Sequence, residues 1–236
     1  MKIAVTGHTS GIGQAVHDMC DLTLEGQNTV RGYSKSNGWN LAEDNGDKLI
    51  QELVDFDPDV LINNAWYPGI QTKILTTLFD EWKGKPKKII NIGSISGYLS
   101  GIVDDSDYMT DKLEQAQFII RNSFRDGTDH QIKMFNISFS FVNSPLLTRV
   151  SIAGNTDPEK MIDVMDAAEI ILDCMDDNDK AYDIVEQVIQ CRALSSEELV
   201  ANFMTGARNM AKHIIRSDRA IKNQQTQALS TLKYTT

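Results

Sequence analysis

Two rhythms of apolar and polar positions run along the first 190 residues. Short, mostly apolar runs at 2–6 ("KIAVT"), 28–33 ("NTVRGY"), 59–64 ("DVLINN"), 87–94 ("KKIINIGS"), 132–140 ("IKMFNISFS") and 183–190 ("DIVEQVIQ") read as strands. Between them, 11–22, 43–56, 71–82, 107–125 and 157–175 carry apolar residues at helical spacing. The stretch 43–56 reads as a helix despite Gly46, and Asp157 with Pro158 forms a natural helix start for 157–175. Strands alternating with helices predict an α/β chain, a doubly wound, mostly parallel sheet with helices on both faces. From residue 195 the pattern changes. Ser195 and Glu198 have the spacing of a capping box, and Leu199, Phe203, Ala207, Met210 and Ile214 follow as one apolar helical stripe. This divides the chain into a domain at 1–194 and a C-terminal helical extension at 195–236, which either packs on its own domain or docks onto another subunit.

Composition narrows the picture. A chain of 236 residues that is 41% hydrophobic suits one α/β domain with a sizeable core. The net charge of −10 makes nucleic acid or an anionic membrane a poor default partner. No apolar run reaches bilayer length, and "MKIAVTG" enters a strand with no secretory pattern, so a cytoplasmic location is expected. Cys20, Cys174 and Cys191 are too few and too scattered for a disulfide framework or metal cluster, and the four histidines are scattered as well. No metal site is expected.

The candidate chemistry lies at strand ends. "TGHTSGIG" (6–13) joins the first strand to the first helix. Gly7, Gly11 and Gly13 allow a sharp turn and a close ligand approach, and the helix start offers free N–H groups to a pyrophosphate. "NNAW" (63–66) ends the third apolar run, where Asn63 and Asn64 either tie strands together, face a ligand or form a turn. Ser94 ends the next strand at the carboxyl edge, where ligands bind in open α/β sheets. Tyr108 and Lys112 follow, one helical turn apart on one face.

In this order the motifs resemble those of the short-chain dehydrogenase/reductase family. "TGHTSGIG" is similar to its TGxxxGxG loop, "NNAW" to its NNAG, Ser94 with Tyr108-x-x-x-Lys112 to its catalytic Ser and YxxxK, and "VNSPL" (142–146) to its turn beside the nicotinamide. The resemblance covers about residues 1 to 190 and implies a Rossmann-like fold. It also implies a nicotinamide cofactor bound by Gly7, Thr9, Ser10, Gly11, Ile12, Gly13, Ser34, Lys35, Asn40, Leu41, Asn64, Ala65, Tyr108, Lys112, Val142 and Ser144. Tyr108 is then the acid–base, Ser94 holds the substrate oxygen, and Lys112 lowers the phenol's pKa by its charge and holds the cofactor ribose. No acid follows the second strand until Glu43, whereas Ser34, Lys35 and Ser36 suit a 2′-phosphate with help from Arg31, so NADP(H) is expected over NAD(H). Trp66, Tyr67, Tyr98 and 144–156 are expected around a small-molecule carbonyl or alcohol. Phe118, Ile119 and Ile120 offer apolar surface for a homodimer or homotetramer.

Several features depart from that family. Too few residues precede "WNL" (39–41) for a crossover helix, so the family's third strand is expected to be rudimentary or displaced. The stretch 64–94 is short enough to lose one helix, and no asparagine stands between Trp66 and Lys88 to serve as the family's further catalytic asparagine. Trp66 replaces a glycine, and Phe139-Ser140 stands where Pro-Gly is usual. An NADP(H)-dependent oxidoreductase is the expected function. The alternative is a dinucleotide-binding sensor or scaffold without catalysis.

Overall fold

The computed structural model describes residues 1–23, 29–100, 106–123, 131–145, 147, 158–176 and 185–189. The proposed C-terminal helix, its apolar stripe and Cys191 lie outside them, as do Asp157 and most of 144–156. Within them a six-stranded parallel sheet runs in the order β2-β1-β3-β4-β5-β6. Its strands are β1 (Lys2–Thr6), β2 (Thr29–Tyr33), β3 (Val60–Asn63), β4 (Lys88–Ser94), β5 (Lys133–Phe139) and β6 (Glu186–Ile189). The chain starts one strand in from an edge, runs outward to β2, and returns across β1 to β3. The carboxyl ends of β1 and β3, on either side of that reversal, bound the candidate site.

Helices α1 (Gly11–Thr23) and α5 (Val164–Met175) cover one face of the sheet. Ile3, Val5, Ile62, Ile90, Phe135 and Ile137 form a dry layer beneath them with Val16 and Ile171. Helices α2 (Asp47–Phe56), α3 (Ile70–Glu81) and α4 (Asp107–Ser123) cover the other face over Ala4, Leu61, Ile89 and Met134. Strands buried on both faces need near-continuous apolar runs, which is why β3 and β4 stand out in the sequence. Among the described residues no helix is long and apolar enough to cross a membrane.

Two expected helix starts change, while the rudimentary strand and the lost helix are as expected. The helix drawn from 43 begins at Asp47, because Asp44, Asn45 and Gly46 all adopt positive φ and form a separate 3-10 turn. The helix drawn from 157 begins at Val164, where the Asp163 carboxylate accepts the Met165 N–H at 2.7 Å and caps the first turn. No strand forms at 39–41. Two 3-10 turns carry the chain from β2 to α2, and Trp39 packs edge-on against Tyr33 with centroids 5.4 Å apart. A single helix, α3, links β3 to β4. Of the apolar trio on α4, Ile119 is sealed in the core and Phe118 packs on Phe79, leaving Ile120 as the exposed member.

Candidate active site

A cavity of about 310 Å³ opens at the carboxyl ends of β1, β3 and β4. Its floor is the turn after β1. Gly7 and Gly11 there have φ of +74° and +58°, which side chains rarely adopt. A Cβ on Gly13 would lie 2.4 Å from the Gly7 carbonyl oxygen, so only glycine lets α1 start this close to the strand. Thr6 and Asn64 lock the floor to β3. The Thr6 hydroxyl accepts the Asn64 and Ala65 N–H groups at 2.9 Å each, and Asn64 Nδ2 donates to the Thr6 carbonyl. The two asparagines thus have different tasks: Asn64 ties the turn, and Asn63 joins the buried polar row described below.

Ser94, Tyr108 and Lys112 meet on one wall of this cavity. Ser94 is the last residue of β4 and caps the 3-10 turn that follows, accepting the Ser96 N–H. Its hydroxyl shares a hydrogen bond with the Ser96 hydroxyl at 2.8 Å, and Ser94 favours the charged form of the neighbouring Tyr108 phenol. Tyr108 is half-buried by area, since one side of its ring borders the cavity, but its hydroxyl lies deep. Burial pushes the phenol's pKa up, only partly offset by Ser94. Lys112 stands 5.6 Å from the Tyr108 ring centroid. Its own burial brings its pKa down to about 7, with the neighbouring Asp111 pulling the other way. The expected electrostatic gift from Lys112 to Tyr108 is therefore not dominant: desolvation outweighs it at the phenol and weakens the cation that would supply it.

The ammonium is held by a residue that sequence reading missed. Lys112 Nζ donates to Gln71 Oε1 and to the Ile92 carbonyl, both at 2.6 Å. Gln71, on α3 and fully buried, is 41 positions from Lys112. A search for asparagine alone passed over it. Only the register of α3 against α4 brings the two together.

Trp66 lines the cavity beside Tyr108, with ring centroids 5.0 Å apart and planes at 79°. Its indole N–H donates to Asp111 at 3.0 Å, and the same carboxylate oxygen accepts the Gly69 N–H at 2.8 Å. Asp111 thus fixes the indole against the phenol. Ser140, Val142, Ser144 and Leu147 close the opposite side. Tyr67 and Tyr98, expected as walls, are elsewhere: Tyr67 packs against the α2/α3 core, and the Tyr98 hydroxyl donates to Glu186.

Of the residues expected at a cofactor, Gly7, Ser10, Gly11, Ile12, Asn64, Ala65, Tyr108, Lys112, Val142 and Ser144 line this cavity. Thr9, Gly13, Ser34, Lys35, Asn40 and Leu41 do not. Gly13 acts beneath the floor. Ser34 and Lys35 stand just past β2, where Lys35 is exposed while the Ser34 hydroxyl is engaged by Ser36 and Asn37. Asn40 closes a local turn by accepting the Ala42 N–H and bonding Glu43, and Leu41 packs against the α2/α3 core. Arg31 is turned away, paired with Glu52 at 3.1 Å and stacked 4.1 Å over Phe56. Glu52, on α2, also meets the Tyr33 hydroxyl, so folding brings an acid to the end of β2 that the local sequence lacks.

No family model and no curated protein matches the chain. Solved structures do. A 4-hydroxyisoleucine dehydrogenase complexed with NADH superposes with a TM-score of 0.58 at 16% identity, over 80% of this chain and 97% of that one. A short-chain dehydrogenase/reductase from Vibrio parahaemolyticus gives 0.59 at 16%, over 82% and 98%. A short-chain dehydrogenase from Sphingobium yanoikuyae in complex with NADPH gives 0.57 at 17%, over 88% and 93%. At such identities the likeness is one of fold: a Rossmann-like sheet shared over nearly the whole length of those proteins.

Proposed function

We propose that the chain is a short-chain dehydrogenase/reductase, an oxidoreductase that uses NADP(H) in preference to NAD(H) on a carbonyl or alcohol of a small molecule. The observation that carries this is the meeting of Ser94, Tyr108 and Lys112 on the wall of a cavity whose floor is a glycine turn at a helix start. The floor fits a dinucleotide: two glycines in left-handed geometry and the first N–H groups of α1 leave room and donors for a pyrophosphate. When bound there, a nicotinamide supplies or accepts the hydride.

The chain's own groups then handle the proton and the geometry. Ser94 hydrogen-bonds the substrate oxygen and holds it against Tyr108. Because burial keeps the phenol protonated, Tyr108 is set to donate a proton, which favours carbonyl reduction near neutral pH. Lys112 spends two of its three N–H groups on Gln71 and Ile92 and keeps one for a ribose hydroxyl. Asp111 and Gly69 hold Trp66 as a fixed wall. Preference for NADP(H) rests on Lys35, exposed at the end of β2, and on Glu52 being committed to Arg31 and Tyr33.

The test is turnover of NADPH and NADH across a panel of aldehydes and ketones. Turnover is expected with NADPH, with Tyr108→Phe losing about two to four orders of magnitude in rate while still binding NADPH. Lys35→Glu is expected to reduce the preference for NADPH. NADPH binding with no turnover on any carbonyl would favour the sensor or scaffold reading, and full turnover by Tyr108→Phe would overturn the role of the phenol.

A further inference from the structure

One row of side chains crosses the sheet on the α3/α4 face. Asn63, Asn91, Asn136 and Glu186 are register partners on β3, β4, β5 and β6. The three asparagines are essentially fully buried. Such a row is costly in an apolar core unless its polar groups are paired, and here all the row's amide groups but the buried Asn63 Oδ1 find a partner. Gln115 and Thr72 close it from above: Asn91 Nδ2 donates to Gln115 Oε1 at 3.1 Å, and Gln115 Nε2 donates to Thr72.

The row has a direction. Lys112 Nζ donates to Gln71 Oε1 at 2.6 Å, and Gln71 Nε2 to Asn91 Oδ1 at 3.3 Å. Asn91 Nδ2 donates to Asn136 Oδ1 at 2.7 Å, and Asn136 Nδ2 to Glu186 Oε2 at 2.8 Å. In this path the Gln71, Asn91 and Asn136 amides each turn the oxygen toward the lysine and the NH₂ toward the carboxylate. The two ends dictate this. An ammonium can only donate and a carboxylate can only accept, so the three amides between them have one consistent orientation.

We propose that Glu186 is a remote positioning residue for Lys112: its negative charge, relayed by three aligned amides, keeps the active-site ammonium charged and held toward the cavity. The chain carries polarisation and no proton, since an amide in this arrangement only donates and accepts. Aligned hydrogen bonds in a low-dielectric interior strengthen one another, which lets a charge act through three links. The burial that lowers Lys112 to about 7 makes it sensitive to such help, because a small added stabilisation changes its charged fraction at neutral pH. Glu186 is itself raised by burial, against the lowering effect of Tyr98, Asn136 and Ser138. Among the described residues the other ionisable groups facing the two ends are few. Asp111 and Tyr108 lie beside Lys112 on α4, and Tyr98, in the turn after β4, donates to Glu186. The consequence for turnover rests on the oxidoreductase reading above, but the coupling itself does not.

The experiment follows the ¹³Cε signal of Lys112 by NMR in lysine-labelled protein, across pH, in wild type, Glu186→Gln and Tyr98→Phe. Glu186→Gln keeps an acceptor for Asn136 and removes the charge. It is expected to lower the Lys112 titration midpoint by roughly half a pH unit or more. Tyr98→Phe removes a neighbour and leaves the charge, and is expected to leave that midpoint in place. Wild type alone is expected to show a second inflection in the Lys112 signal where Glu186 titrates, a readout that survives if Glu186→Gln does not fold. An unchanged midpoint in Glu186→Gln, an equal shift in Tyr98→Phe, or no second inflection in wild type would each overturn the coupling. If NADPH turnover is found, its alkaline limb is expected to move down with the Lys112 midpoint in Glu186→Gln. If no carbonyl is turned over, the oxidoreductase reading fails while the NMR result still decides the coupling.

Discussion

Trp66 shows how one side chain can be fixed from two directions. Its ring meets Tyr108 edge-on, and its N–H is taken by Asp111. Trp66→Phe keeps an aromatic edge and deletes the donor, leaving the partly desolvated Asp111 with the Gly69 N–H. Hydrogen bonds to charged groups contribute about 1.5–3 kcal/mol, so a loss of stability near the lower end of that range is expected from urea unfolding. No change would mean that water replaces the indole. At this same scale Tyr108 and Lys112 were the easiest residues to find in the sequence and the hardest to interpret from it. Their spacing is visible in the sequence. Their burial is not, and burial decides both pKa directions.

Most elements are legible because the sheet is buried on both faces and therefore needs uninterrupted apolar strands. The misplaced boundaries share one cause, local backbone chemistry: left-handed residues at 44–46 and a capping aspartate at 163. The glycine loop was also legible, but the task of each glycine was not. Gly7 and Gly11 supply unusual φ, whereas Gly13 supplies space between α1 and β1. Gly13→Ala would place a methyl 2.4 Å from the Gly7 oxygen and 2.6 Å from Asn64 Nδ2. Overpacking of this kind costs about 1–3 kcal/mol. The expected result is a lower melting temperature and, on the proposed oxidoreductase function, weaker binding of the nicotinamide dinucleotide, since α1 must move off the turn it anchors. A normal melting temperature with normal binding would contradict the close approach. Gln71 and Glu186 were not legible at all, because α3, α4 and β6 meet only after the chain has folded.

For the molecule as a whole, a buried lysine leaves a signature in the dependence of stability on pH. The unfolded chain holds the Lys112 proton up to about pH 10.4, while the folded chain releases it near 7. Between those values the unfolded state binds more protons, so folding becomes more favourable as pH rises, by at most about 1.4 kcal/mol per unit. The burden on the folded state is largest below pH 7 and is relieved toward pH 10. Lys112→Met removes this dependence. Urea midpoints at pH 7 and pH 9 are therefore expected to shift in favour of wild type by on the order of 2 kcal/mol relative to the variant. A constant difference would place Lys112 in a wetter setting than its contacts imply.

The compact connection after β2 has a consequence for the edge of the sheet. With no strand formed at 39–41, β2 is the rim of the sheet among the described residues, and a rim strand invites another chain to add to it. The connection answers that hazard with its own side chains. Asn37 Nδ2 donates to the Gly32 carbonyl at 2.8 Å, and charged Arg31 stands exposed on the same strand. This short stretch thus serves as a guard against edge-to-edge pairing, and removing Asn37 would leave the Gly32 carbonyl open to another strand.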